Sequence, residues 1–193
     1  MARPRSFDKD TVLDQVMTLF WEKGYGGTSM MDIQSATGLK PGSLYDCFGG
    51  KHELFLEAID HYRKNVVRKR LDKMTAPGPA RERLEGFFND LIEFSLGDGR
   101  KLGCLMSNTA VELAPHDPET KHIVQDNLIE IAQSFADVVE DGINSGEFKT
   151  TESPENIARF LTSTVQGLRV MAKSATSEDT LKTTTRLALQ VLG

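Results

Sequence analysis

At 193 residues, with 39% hydrophobic and 26% charged side chains, the chain is long enough to bury a substantial core in one or two domains. No run of 18 apolar residues offers a membrane span, and the basic MARPRSFDKD start does not read as a secretory signal. Two cysteines make neither a disulfide framework nor a zinc-finger spacing, so a cytoplasmic protein without metal or cofactor is expected. The net charge of −5 is unevenly placed: residues 1–73 hold twelve Lys/Arg against ten Asp/Glu, and residues 74–193 hold eleven against eighteen.

Val12, Leu13, Val16, Met17, Leu19, Phe20 and Trp21 recur at helical spacing, with Asp8 as a cap and Gly24, Gly26 and Gly27 as a stop. They predict a helix over residues 8–24. A short helix starts at a Thr28/Ser29 cap and stops at Gly38. Another opens after Lys40-Pro41-Gly42, because proline has no N–H to lose in a first turn. Two short helices joined by a glycine-containing turn make a helix-turn-helix, the unit that lays its second helix in the DNA major groove. The pair is too small to bury its own core. Ile33, Ala36, Leu39, Leu44 and Phe48 are its expected inward positions, packed against the preceding helix and one from Lys51.

From Lys51 the period runs through Leu54, Phe55, Ala58, Ile59, Tyr62 and Val66 toward Leu71, as one long helix. Thr75-Ala76-Pro77-Gly78-Pro79 is the clearest breaker in the chain. Helices then follow over about 80–96, 103–114 and 118–146, over a stretch from Ser153-Pro154 to about Ser174, and over 179–192. Asp117 before Pro118 and Ser153 before Pro154 give two cap-then-proline starts. With no strand signal and no internal repeat, the fold class is all-α. It divides into residues 1–51, a connecting helix over 52–75, and a helical domain over 76–193.

The stretch from Phe7 to Phe55 carries Tyr25 after a glycine and a Thr28-Ser29 cap. Ile33 and the Ala36-Thr37-Gly38 turn follow, then Gly42-Ser43-Leu44-Tyr45 with Phe48, and Lys51. This ordered set, about a quarter of the chain, resembles the DNA-binding domain of the TetR family of bacterial transcriptional regulators. The resemblance implies a homodimer on a palindromic double-stranded operator, an unknown small-molecule effector held by residues 76–193, and DNA contacts from Lys40, Gly42, Ser43, Tyr45 and Lys51.

The residues themselves add detail. Arg3 and Arg5 suit either an arm reaching a phosphate or the narrow groove, or a solubilising tail. Thr28 and Ser29 sit at a helix N-terminus, which attracts phosphate while being capped. Gly42 permits close approach, Ser43 can pair with any base edge, and Tyr45 can reach a phosphate. Asp46 is unusual beside phosphates and suits a cytosine amino group. Cys47 reads as a small filler between helices.

The expected ligand pocket is lined by Phe87, Phe88, Leu91, Phe94, Cys104, Met106, Asn108, Glu112, Phe135, Phe160, Thr164, Gln166 and Met171. Its polar members Asn108, Glu112 and Gln166 each need a partner that a ligand can supply. The expected function is a repressor released from its operator by that effector. Cys104 follows Arg100 and Lys101 at a helix start, where a thiol becomes reactive, so an oxidant- or electrophile-sensing regulator is an alternative. So is a ligand-dependent activator.

One recognition helix buries too little to find a site in a genome. A two-fold dimer through the last two helices is therefore expected, with Val165, Leu168, Leu187, Leu189 and Val191 as its apolar core. The long helix from Lys51 is the expected coupling element between domains. No phosphate-binding glycine loop, HExxH or GxSxG is present, and no enzyme is expected.

Overall fold

The computed structural model describes residues 7–97, 99–174 and 176–193, and no strand occurs among them. Helix α1 (Lys9–Lys23) starts where the Asp8 carboxylate accepts from the amides of Asp10 and Thr11. Helix α2 (Met30–Thr37) carries a full capping box. The Ser29 hydroxyl accepts from the Asp32 amide, and the Asp32 carboxylate accepts from the Ser29 amide. Hydrogen bonds from Lys23 and Ser29 hold the Asp32 carboxyl well below the usual carboxylate range. Helix α3 (Pro41–Phe48) begins on proline at its first turn.

Gly38 ends α2 in the left-handed region at φ 67°, and a Cβ there would meet nothing within 4 Å. The cost of Gly38→Ala is therefore backbone strain alone, about 1–2 kcal/mol. The urea midpoint is expected to fall accordingly, and an unchanged midpoint would show that this turn relaxes freely.

Three short helices acquire a core by packing on α4 (Lys51–Tyr62). Phe20, Ile33, Leu44, Phe48, Leu54 and Phe55 are all buried there. Phe55 meets Phe20 and Tyr25 edge-on, each with ring centroids 4.9 Å apart. Leu39 is half-buried, while Ala36, expected inward, is exposed. An eight-residue helix presents one narrow inward stripe, and Ile33 fills it.

The helix from Lys51 is not uniform. After α4 the chain passes through a π turn, Arg63–Val67, an α turn, Arg68–Leu71, and a 3-10 turn, Asp72–Thr75. A π turn takes up an extra residue and rotates whatever follows. Here it leaves Val67, Arg70 and Leu71 on the wall of an internal cavity.

The remaining chain forms α5 (Ala80–Leu96), α6 (Leu105–Glu112), α7 (Pro118–Asn144), α8 (Pro154–Lys173) and α9 (Glu178–Ala188). A 3-10 turn, Leu189–Leu192, closes the chain's helical part. Helix α5 lacks a local cap; instead the Glu147 carboxylate accepts from the amides of Ala80 and Arg81 at 2.8 and 2.9 Å. Helices α7 and α8 pair most extensively. Phe87, Phe88 and Phe135 form a three-ring cluster with centroids 5.1–5.9 Å apart. The buried side chains form one connected cluster from Val12 to Leu192.

Candidate nucleic-acid interface and ligand cleft

Helix α3 divides cleanly. Leu44 and Phe48 anchor it inward, while Lys40, Gly42, Ser43, Tyr45 and Asp46 stand exposed along its other edge. A Cβ at Gly42 would meet nothing within 4 Å, so the missing side chain leaves room for an approaching surface. Cys47 is half-buried against the core. Lys51 lies with its Nζ 4.2 Å from the centroid of the Tyr25 ring, a cation–π contact at the start of α4. Ser29 is exposed at the α2 N-terminus.

Thr28 is a correction. It is buried, and its hydroxyl donates to the Gly24 carbonyl at 2.7 Å, so it holds the α1–α2 turn together and faces no partner. Arg3 and Arg5 lie outside the described residues.

Behind this face, a cleft of about 400 Å³ separates α1 from the body. Trp21 and Gly24 line one side, and Cys104, Asn108, Glu112 and Arg169 the other. Cys104 and Arg169 also wall a deeper cavity of about 30 Å³, reached by Tyr62, Arg70, Phe87, Leu91 and Gln166. Thus Phe87, Leu91, Cys104, Asn108, Glu112 and Gln166 lie on cavity walls.

Phe88, Met106 and Phe135 do not. They are fully buried among other side chains, Phe88 and Phe135 stacking behind Phe87 in the three-ring cluster. Phe160 stands 48% exposed on the outer side of α8. Thr164, one turn on, spends its hydroxyl on the Phe160 carbonyl. Neither lines the cleft or the deeper cavity.

Sequence reasoning missed Trp21, Tyr62, Arg70 and Arg169. One of these had a signal: Arg169 falls on the apolar stripe of α8, beside Val165, Leu168 and Ala172, and is only 3% exposed.

Glu112 is placed otherwise than expected. Its carboxylate leaves the body and accepts from the backbone amides of Tyr25 and Gly26 at 3.0 and 2.7 Å. A Cβ at Gly24 would fall 2.8 Å from its Oε2, so glycine there is what lets the carboxylate come so close. A second bridge joins His52 Nε2 to Asp117 Oδ2 at 2.6 Å. The Asp117 carboxyl is lowered first by the Thr120 amide, with His52 adding to it.

Cys104 is buried at the N-cap of α6, where the Tyr62 hydroxyl donates to its sulfur at 3.7 Å. Burial pushes the Tyr62 phenol well above its ordinary range.

Three residues expected at a dimer surface are turned inward. Val165, Leu168 and Leu189 are buried in the chain's own core and cannot meet a partner. Leu187 stays exposed and Val191 partly so. The outward apolar residues of α8 are instead Phe160 and Val170. Helical spacing marks an apolar stripe without saying which neighbour it meets.

Residues 12–58 match the family model for bacterial regulatory proteins of the tetR family. Residues 80–188 match the tetracyclin repressor-like C-terminal domain. A Bacillus subtilis HTH-type transcriptional regulator of uncharacterised role, YezE, is 29% identical over all of both chains. The Escherichia coli HTH-type transcriptional repressor ComR is 28% identical, over 93% of this chain and 86% of its own. Among solved structures, a cysteine-substituted form of the TetR family transcriptional regulator CifR, complexed with 26-base-pair double-strand operator DNA, superposes with a TM-score of 0.87 at 30% identity. That match covers 99% of this chain and 100% of the other.

Proposed function

The chain belongs to the TetR family of bacterial transcriptional regulators, and from that premise we propose a homodimeric repressor released from a palindromic operator by a small molecule held in the cleft behind α1. In this reading residues 1–51 touch DNA, 52–75 connect, and 76–193 bind effector and partner. Lys40, Gly42, Ser43, Tyr45 and Asp46 form the reading edge, with Ser29 and Lys51 placed for flanking phosphates. Two copies pair through the face holding Phe160, Val170, Leu187 and Val191, giving a four-helix contact. Half-sites then lie about 34–36 Å apart.

Glu112 is the observation that carries the ligand response. It lines the cleft and also holds the turn leading into the helix-turn-helix. A ligand that repositions α6 therefore moves the Glu112 carboxylate and, with it, the amides of Tyr25 and Gly26. Effector binding favours a form whose two reading heads are wrongly spaced for DNA. This route is shorter than one along α4, which the π turn interrupts. Glu112→Ala is expected to lower operator affinity about three- to tenfold and to blunt effector-driven release, with little loss of thermal stability. Anisotropy titrations with and without effector measure both; release as complete as in the native protein would remove Glu112 from the coupling.

The direct test of the function is a gel shift on the fragment upstream of the coding region. The native protein is expected to retard it, and a reporter from the same promoter should rise when the gene is deleted. Absence of any retarded species at micromolar dimer would sink the proposal, and a falling reporter would make the protein an activator.

A second reading, in which an electrophile or oxidant acts at Cys104, is favoured by that sulfur's position on the cleft wall. Cys104→Ser separates the two: a small-molecule effector still releases the variant from DNA, whereas a thiol-directed one does not.

A further inference from the structure

Where the cleft meets the deeper cavity, the amide oxygens of Asn108 and Gln166 already accept from Lys173 and Ser107, and several donors are left without an anionic partner among the described residues. Arg169 is 3% exposed. It donates to the Ser95 hydroxyl and the Gly103 carbonyl, and no carboxylate among the described residues lies within salt-bridge distance of it. Half-buried Arg70 lies on the same cavity and also lacks an ion pair among the described residues. Both guanidiniums approach the Phe94 ring, the Arg169 Cζ 4.9 Å and the Arg70 Cζ 5.1 Å from its centroid. Burial and the nearby Arg169 charge both lower the Arg70 pKa; Asp90, the acid on its approach, is already paired with Lys73.

Two further donors complete the set. The Trp21 indole N–H is buried without a hydrogen-bond partner among the described residues, on a ring that packs against Tyr62 at 4.8 Å and Phe94 at 5.9 Å. Among the described residues the Tyr62 hydroxyl has only the long contact to the Cys104 sulfur. The cleft carboxylates, Glu22 and Glu112, are both exposed, and Glu112 is held by backbone amides. Buried cations require a compensating anion or a full set of acceptors, and an orphaned buried donor is a cost the fold carries unless something accepts from it.

We propose that the effector is a small apolar carboxylate, its anionic head bound by Arg70, Arg169 and the Trp21 indole N–H and its apolar part lying in the cleft. This rests on the reading of residues 76–193 as the effector-binding part, and names the ligand class for that site. Guanidinium is the group best matched to a carboxylate, two parallel N–H donors facing two oxygens. The cleft's 400 Å³ lies in the range of small-molecule sites. Trp21 and Val111 supply apolar walls to the cleft, and Phe87 and Leu91 to the deeper cavity it joins. Because Trp21 belongs to α1, a ligand accepting from it would pull directly on the helix that carries the DNA-reading unit.

Trp21 is the one tryptophan of the chain, so its fluorescence reports on this site without a label. Benzoate and hexanoate serve as probes against their neutral isosteres benzamide and hexanamide, titrated into the DNA-free dimer, with melting temperature followed in parallel. Both carboxylates are expected to change the Trp21 signal saturably and to raise the melting temperature, since a ligand that binds only the folded state stabilises it. The amides are expected to do neither. Arg70→Met should weaken the carboxylates roughly tenfold or more, and Arg70→Lys should recover part of that loss.

Equal responses to amides and carboxylates would overturn the proposal. So would no saturable response to either carboxylate at millimolar concentration, or native affinity in a folded Arg70→Met. The amide comparison uses the native protein and decides the question even if Arg70→Met does not fold. Carboxylate binding that leaves the operator complex intact would count against the release mechanism and leave the ligand class standing.

Discussion

Tyr45→Ala is expected to abolish operator retardation while the protein stays folded. The Tyr45 ring is 51% exposed, between the buried anchors Leu44 and Phe48. Its removal therefore opens no cavity, and stability should change by about 0.5 kcal/mol or less. Binding is a different matter because symmetry removes the contact twice. A good contact to a base edge or phosphate is worth about 1–3 kcal/mol, so two lost contacts amount to about 2–6 kcal/mol, a loss of roughly 30-fold to more than 10⁴-fold. Thermal unfolding and an anisotropy titration on the same preparation measure the two effects. Native affinity in a folded variant would move the reading edge away from α3.

Val170→Asp combined with Leu187→Asp is expected to yield a folded monomer. Both side chains stand outside the core of the single chain, 61% and 52% exposed, so the substitutions cost the protomer little. In a dimer they would bury four carboxylates at a largely apolar contact. Unpaired buried charges cost several kcal/mol each, more than an interface of two short helix faces can offset. A monomer reaches one half-site only, and its operator affinity should fall by about 10³ or more. Sedimentation at micromolar concentration checks the assembly and a gel shift checks the consequence. A double variant that still sediments as a dimer would place the interface on another face.

The two variants probe parts of the protein that were unequally legible. The α3 edge could be read directly: Pro41, Gly42, Ser43 and Tyr45 are consecutive or nearly so, and one amphipathic turn determines what points out. The dimer face could not. Val165 and Leu168 share α8 with Phe160 and Val170, and all four are apolar. Which pair enters the protomer's core depended on α7 packing against one side of the helix. The candidate ligand cleft was half legible. Cys104, Asn108 and Gln166 stand on cavity walls, yet the donors that give the cavity its charge character come from α1, from the turn after α4 and from α8.

What the amino acids determined alone was local. The Asp8, Ser29, Asp117 and Ser153 caps, the left-handed Gly38, and proline in the first turns of α3, α7 and α8 act over four residues or fewer. Such rules operate before any tertiary contact forms. Tertiary structure decided everything that joins distant segments. Glu112 meets Tyr25 across 87 residues of chain, Arg70 and Arg169 converge on one phenylalanine ring, and the π turn redirects the end of the connecting helix. A period of 3.6 residues specifies a buried face but not its neighbour. The side chains proposed to link ligand to reading head therefore became visible only once the helices had packed.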